Sequence, residues 1–299
     1  MRRIHLAGGT LLGLLLSAAP AWAQFYESAH YAQAPRIVSQ TETVPARPLT
    51  LHGATGQAGG GLSIDLGSDT AGDVWLAPAG AGYGVTPRLE AGLETGLLLR
   101  PFAGNQLMAS VRLYGRYLLL PDLLALEVAL HVPTVIANGT ALEVVVPVRW
   151  RVPRAELFGG VTTLYRLGQA FDVSANAETT LSYIFSLAGT ALVDIAQGVV
   201  AVGDLGFSYT HNDLGSDVGT SSNKAILLGV GAGYRITPTL FAKAGLMFPD
   251  LAEKNPLDDS YSGLSRRSLQ ITLVQVLDLG GGASPSSEPN PEPSLEAIE

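Results

Sequence analysis

Between Leu107 and Val152 the chain alternates, residue by residue, between two chemically different sets. This period of two constrains the fold more than any other feature of the sequence. One set reads Leu107, Ala109, Val111, Leu113, Tyr117 and Leu119, then Leu124, Leu126, Val128, Leu130 and Val132, then Leu142, Val144, Val146, Val148, Trp150 and Val152. The other carries Ser110, Arg112, Tyr114 and Arg116, then Ala125, Glu127, Ala129 and His131, then Glu143, Val145, Pro147, Arg149 and Arg151. Successive side chains of a strand point to opposite faces, so each set occupies one face of a β-strand. Pro147 is the one blemish, because it removes a donor from the ladder.

The same pattern, followed along the chain, predicts twelve strands near 59–66, 74–85, 89–99, 107–120, 123–134, 140–152, 155–166, 181–195, 199–211, 224–236, 240–249 and 265–279. Runs of ~9 to 13 residues suit tilted strands crossing a hydrocarbon layer. The first strand and the stretch from Phe171 to Ser186 carry the pattern least clearly, and a separate strand over Phe171 to Thr180 would change the count.

Connections alternate in length. Tight ones fall at Thr86-Pro87-Arg88, Pro121-Asp122, Pro153-Arg154, Ala196-Gln197-Gly198 and Thr237-Pro238-Thr239, with longer polar ones near 67–73, 100–106, 135–139, 167–180, 212–223 and 250–264. Short periplasmic turns and longer external loops are the rule for outer-membrane barrels, and the arrangement puts both chain ends in the periplasm. Facing residues of a hairpin must share a face, since a one-residue slip exchanges the two faces. The tight turns meet this condition: they pair Leu119 with Leu124, Tyr117 with Leu126, Val152 with Ala155, Trp150 with Leu157, Val85 with Leu89, Ile195 with Val199, and Ile236 with Leu240.

The chain ends differ from this middle. Arg2 and Arg3, an apolar run from Leu6 to Ser17, and Ala21-Trp22-Ala23 make residues 1–23 a secretory signal peptide. Residues 24–48 have no period and read as an N-terminal periplasmic extension. Residues 49–279 form the barrel, and 280–299 are an acidic Pro/Ser-rich tail too polar to offset its chain entropy. Removing 23 of the 299 residues takes away only two charges, Arg2 and Arg3, which moves the net charge from −8 to −10. A nucleic-acid partner is excluded by that sign, because phosphate binding needs a basic face. An exported chain with no Cys has no disulfides to hold it together. Beyond residue 23 no run of ~18 apolar residues offers a helical span. Yet 47% hydrophobic against 15% charged residues is too apolar for an ordinary acidic soluble protein, and 35 Gly and 18 Pro argue against long helices.

Gly82-Tyr83-Gly84-Val85-Thr86-Pro87-Arg88-Leu89-Glu90-Ala91 recurs as Gly233-Tyr234-Arg235-Ile236-Thr237-Pro238-Thr239-Leu240-Phe241-Ala242. Each copy reads as strand end, Pro turn and strand start, and shared turn chemistry accounts for the repeat more simply than duplication of a functional unit. On these features, over roughly Leu49 to Leu279, the chain resembles bacterial outer-membrane β-barrel proteins, in particular twelve-stranded porin- and transporter-like barrels. The resemblance implies an all-β fold, a transmembrane antiparallel up-and-down β-barrel of about 12 strands, in the outer membrane of a Gram-negative bacterium.

With the apolar parity toward lipid, the other parity lines the lumen. It carries Glu90, Glu94, Arg112, Arg116, Glu127, His131, Glu143, Arg149, Arg151, Glu156, Asp204 and Lys243, which are the selectivity candidates. Arg or Lys at mid-depth on a lipid face costs about 2–4 kcal/mol, which explains their confinement. Hairpin register sets Arg116 opposite Glu127, Arg112 opposite His131 and Arg151 opposite Glu156. Such charges either line an aqueous pore or neutralise one another inside a closed barrel. Twelve strands enclose more than side chains alone fill, and Gly80, Gly82, Gly84, Gly229, Gly231 and Gly233 on the inward parity leave room, so a solvated lumen and a passive channel for small solutes are expected. The alternatives are a closed structural or interaction barrel, a membrane-embedded lipid hydrolase, and a soluble secreted β-sandwich.

Chemistry of other kinds is sparse. His131 faces an Arg, the wrong charge to orient a base, and His211-Asn212-Asp213 with Ser216, Asp217, Ser221 and Ser222 has the composition of a polar loop, so no catalytic residue is assigned. Asp250, Glu253, Asp258 and Asp259 lack the spacing of a cation loop, and no His/Cys cluster supports a metal. Neither a cofactor nor a metal is expected.

Overall fold

The computed structural model describes residues 49–66, 74–100, 111–132, 140–167, 170–172, 177–179, 181–213, 219–248, 250–251 and 267–279. Fourteen strands are present among them: β1 (Thr55–Asp65), β2 (Val74–Gly84), β3 (Leu89–Arg100), β4 (Val111–Leu120), β5 (Leu124–Val132), β6 (Thr140–Val152), β7 (Ala155–Leu167), β8 (Ala170–Asp172), β9 (Ala177–Thr179), β10 (Leu181–Ala196), β11 (Val199–Asp213), β12 (Thr220–Arg235), β13 (Leu240–Phe248) and β14 (Ser268–Asp278). Twelve of them form a closed antiparallel barrel in which each strand pairs with the next barrel strand along the chain, β7 with β10 across β8 and β9, and β1 pairs with β14 to complete the circle. The ambiguous stretch after Leu167 resolves into β8 and β9, a small hairpin of its own that leaves the barrel count at twelve.

Closure gives each of the twelve barrel strands a partner on both sides, so the barrel has no free edge. It also divides side chains into an inside and an outside. Burial in β4 alternates strictly from Val111 to Leu118, with Arg112, Tyr114, Arg116 and Leu118 buried and Leu113, Gly115 and Tyr117 exposed. The exposed set continues around the barrel through Val128, Trp150, Val161, Leu187, Leu205, Val230, Ile271 and Leu273. Soluble monomers rarely expose an apolar patch beyond a few hundred Å². A continuous apolar exterior around a closed barrel is the surface of a transmembrane barrel, and a two-sheet sandwich is excluded by the closure itself.

The tight connections gather at one rim, here called the short-turn end. Both copies of the Thr-Pro repeat make the same set of hydrogen bonds there. Thr86 Oγ1 accepts from the amides of Arg88 (3.3 Å) and Leu89 (3.0 Å). Thr237 Oγ1 accepts from those of Thr239 (3.3 Å) and Leu240 (3.0 Å). The Val85 and Ile236 amides donate to the Leu89 and Leu240 carbonyls at 2.7 and 2.9 Å. One turn design thus explains the repeat. At Pro153-Arg154 the φ of Arg154 is 77°, the left-handed second position that a Pro-led type II turn requires.

The hairpin registers hold along the strands and depart at two turns. Arg116↔Glu127, Arg112↔His131 and Tyr117↔Leu126 pair as expected, but Leu124 pairs with Leu120 rather than Leu119 because the turn takes in Leu123 and the strand bulges. Likewise Val199 pairs with Ala196, not Ile195, across a bulge next to the Gln197-Gly198 turn. An extra residue at a turn lets the strands keep their register while the loop closes in a favoured geometry. Pro147 pairs with Gly160 on the β7 side. On the other side the β5–β6 ladder is broken between Leu124↔Val148 and Glu127↔Val145, where a proline has no N–H to give.

Candidate functional site

Among the described residues, ionisable side chains concentrate on the barrel interior. Its inner wall over β3 to β6 is a buried ion-pair network. Register brings Glu90 opposite Arg116 and Glu94 opposite Arg112 across β3 and β4, a pairing that spans a long connection and was not legible from hairpin arithmetic. The Arg112 guanidinium donates to three carboxylates: Glu143 Oε2 from Nε (2.6 Å), Glu94 Oε2 from Nη1 (3.2 Å), and Glu127 Oε1 from Nη2. Arg116 Nε donates to Glu127 Oε2 at 2.8 Å, and its Nη2 reaches the same oxygen. His131 Nε2 is hydrogen-bonded to Glu143 Oε2 at 2.9 Å, so its side chain finds a carboxylate although its register partner is Arg112. Tyr114 lies between the two arginines, its ring 5.2 Å from the Arg112 guanidinium and 5.7 Å from that of Arg116, and its hydroxyl donates to Glu90 Oε1 at 2.9 Å.

Burial is nearly complete. Arg116 and Glu127 are each 1% exposed, and Glu90, Glu94, Arg112, His131, Glu143, Arg149 and Asp204 are also buried. Unpaired charges at such depth are prohibitive, so each is held by an opposite charge or a directed hydrogen bond. Arg149 is fully enclosed, with Nη2 donating to Glu156 Oε2 at 2.7 Å and the guanidinium 4.9 Å above the Phe158 ring. Arg151 and Glu156 sit further out. The Arg151 side chain is 46% exposed at the short-turn rim, 3.3 Å from Asp122 and 3.5 Å from Glu156, where solvent leaves such pairs worth little. A second rim pair, Arg235 with Asp194 at 2.8 Å, joins β12 to β10 over the intervening β11 and was not anticipated from the sequence.

The opposite wall is different. Near the short-turn end Phe158, Leu192, Val200, Val202, Phe241 and Val274 pack into an apolar cluster inside the barrel. Beyond it Asp204 accepts a 2.6 Å hydrogen bond from Thr190 Oγ1. Asp204 and Lys243 line one small cavity of about 20 Å³, room for about one water, together with Val202, Met247, Gln270 and Thr272. The inward glycines are occupied rather than empty. A Cβ on Gly229 would meet Asp204 and Met247, one on Gly233 the Phe241 ring, and one on Gly82 Tyr114 and Glu90.

The interior also holds a segment that strand periodicity could not reveal. Leu49, Thr50 and Leu51 precede β1, yet all three are buried. Arg116 Nη1 donates to the Leu49 carbonyl (3.0 Å) and the Leu51 amide to Glu90 Oε2 (2.8 Å). Its only sequence sign is the Leu49-Thr50-Leu51 apolar patch ahead of a Gly-rich strand.

Of the residues weighed for catalysis, His211 lies on the outward parity of β11, stacked on Tyr183 with ring centroids 5.1 Å apart. Ser216 and Asp217 lie outside the described residues, as do Glu253, Asp258 and Asp259. No cluster of three or more His, Cys, Asp or Glu residues suited to a metal occurs among the described residues.

No protein-family model and no curated protein matches the chain. Solved structures do. The NanC porin superimposes with a TM-score of 0.51 at 13% identity, over 73% of this chain and 98% of that one. The COG4313 outer membrane channel from Pseudomonas putida F1 gives a TM-score of 0.48 at 15% identity, over 80% and 98% of the two chains. At 13% identity the likeness to the NanC porin is one of fold alone.

Proposed function

We propose that this protein is an outer-membrane channel for small polar solutes, delivered by the N-terminal signal peptide and embedded through its apolar exterior. The observation that carries the reading is the division of surfaces in a closed barrel of twelve strands, a size larger than the eight that side chains fill, with ionisable groups gathered on the inside. Most of those groups are engaged with one another on the β3–β6 wall. In this reading solute passes along the opposite wall, by Asp204, Lys243, Gln270 and Thr272, which together line a water-sized cavity. Lys243 and Asp204 are then the charges that set selectivity, and the network is the rigid wall facing them.

Planar-bilayer recording of the purified, folded barrel tests this. Conductance is expected, and Lys243→Glu should move the reversal potential in a salt gradient toward cations. An unchanged reversal potential would remove Lys243 from the route. A second reading, a closed barrel acting through its loops or tail, is favoured by the mutual pairing of Arg112, Arg116, Glu94, Glu127 and Glu143. It predicts a folded protein that conducts under no condition.

A further inference from the structure

We propose that Leu49–His52 is a displaceable plug that gates the interior at the short-turn end, an inference that rests on the channel reading. The chain leaves the barrel wall at a defined hinge. The Thr55 amide and hydroxyl both donate to the His52 carbonyl, at 3.0 and 2.6 Å, closing a turn in which Ala54 has a φ of 65°. Ala54 itself is fixed to the wall, its amide donating to the Gly84 carbonyl (3.0 Å) and its carbonyl accepting from the Leu279 amide (2.9 Å). Leu49–Leu51 are thus turned inward from an anchored point.

The seat is built for a backbone rather than for particular side chains. Glu90 takes the Leu51 amide and Arg116 the Leu49 carbonyl, so two buried charges of opposite sign grip one donor and one acceptor of the main chain. Leu49 packs with Leu118 and Ala125. Gly84 lacks the Cβ that would overlap the His52 carbonyl, and Gly82 leaves room for Leu51. The segment belongs to no strand, so its departure breaks no ladder. It also carries a reason to leave: Thr50 Oγ1 is buried with no hydrogen-bond partner among the described residues, a deficit that water repairs. Once the segment is out, Glu90 and Arg116 face each other across β3 and β4 with their main-chain partners gone, and the short-turn end is open to water.

The 299 residues include no cysteine, so one engineered pair gives one disulfide. In Leu49→Cys/Ala125→Cys, oxidation should silence bilayer conductance and dithiothreitol should restore the parent level, with free-thiol titration confirming the bond. Gly84→Val, which removes no charge, should raise open probability by about tenfold or more. Heat-modified gel migration verifies folding of both. Equal conductance in oxidised and reduced forms, together with an unchanged Gly84→Val, overturns the plug and leaves the channel standing. Silence of every folded form, Gly84→Val included, overturns the channel and the plug with it.

Discussion

Arg112 binds the carboxylate of Glu127, although strand register places it opposite His131, four residues further along β5. A long guanidinium reaching along its neighbour strand makes Arg112 the common cation of Glu94, Glu127 and Glu143. Its removal leaves three carboxylates crowded in a buried site, whereas loss of Arg116 leaves Glu127 still held by Arg112. Breaking a buried pair costs about 3–5 kcal/mol. Arg112→Met should meet or exceed that range and Arg116→Met should fall below it, as read by urea unfolding of the barrel in micelles.

Arg116→Glu alone should destabilise strongly, since Glu127 would face a like charge. Adding Glu127→Arg should recover part of the loss and no more, because the new arginine would also face Arg112. A double-mutant cycle measures the coupling, expected at about 0.5–3 kcal/mol. Additive effects would contradict the register.

Two glycines give opposite expectations. Gly233 lies against the Phe241 ring, and Gly233→Val should cost about 1–3 kcal/mol by overpacking. Gly115 has nothing within 4 Å of the Cβ position, and Gly115→Ala should be neutral or stabilising by up to about 1 kcal/mol. Thermal unfolding in detergent separates them.

The membrane reading predicts a dependence on depth. Leu205, 62% exposed in the middle of β11, should lose about 2–4 kcal/mol on replacement by Arg, while Val85→Arg at the short-turn rim should lose about 0–1 kcal/mol. Refolding titrations into lipid vesicles read the difference. Equal, small losses would mean that this face meets water.

How much of this was legible beforehand follows from what is local. Period-two alternation assigned Leu113, Tyr117, Leu126 and Val128 to one face and Arg112, Arg116 and Glu127 to the other, because side-chain direction in a strand depends only on parity. A tight turn carries that parity across to the next strand, and so Arg116↔Glu127 and Arg151↔Glu156 came from counting alone. The twelve strands followed within a few residues.

Tertiary structure decided the rest. Counting cannot cross a long connection, so Glu90↔Arg116 and Glu94↔Arg112 required the folded sheet, as did the pairing of β1 with β14. Closure turns a face into an enclosed volume, and only inside that volume do long side chains reach beyond their register partners, as Arg112 does to Glu143 and His131 does in turn. The burial of Leu49–Leu51 is of the same kind: an aperiodic segment carries no signal of where it goes until a cavity lined with matching charges exists to receive it.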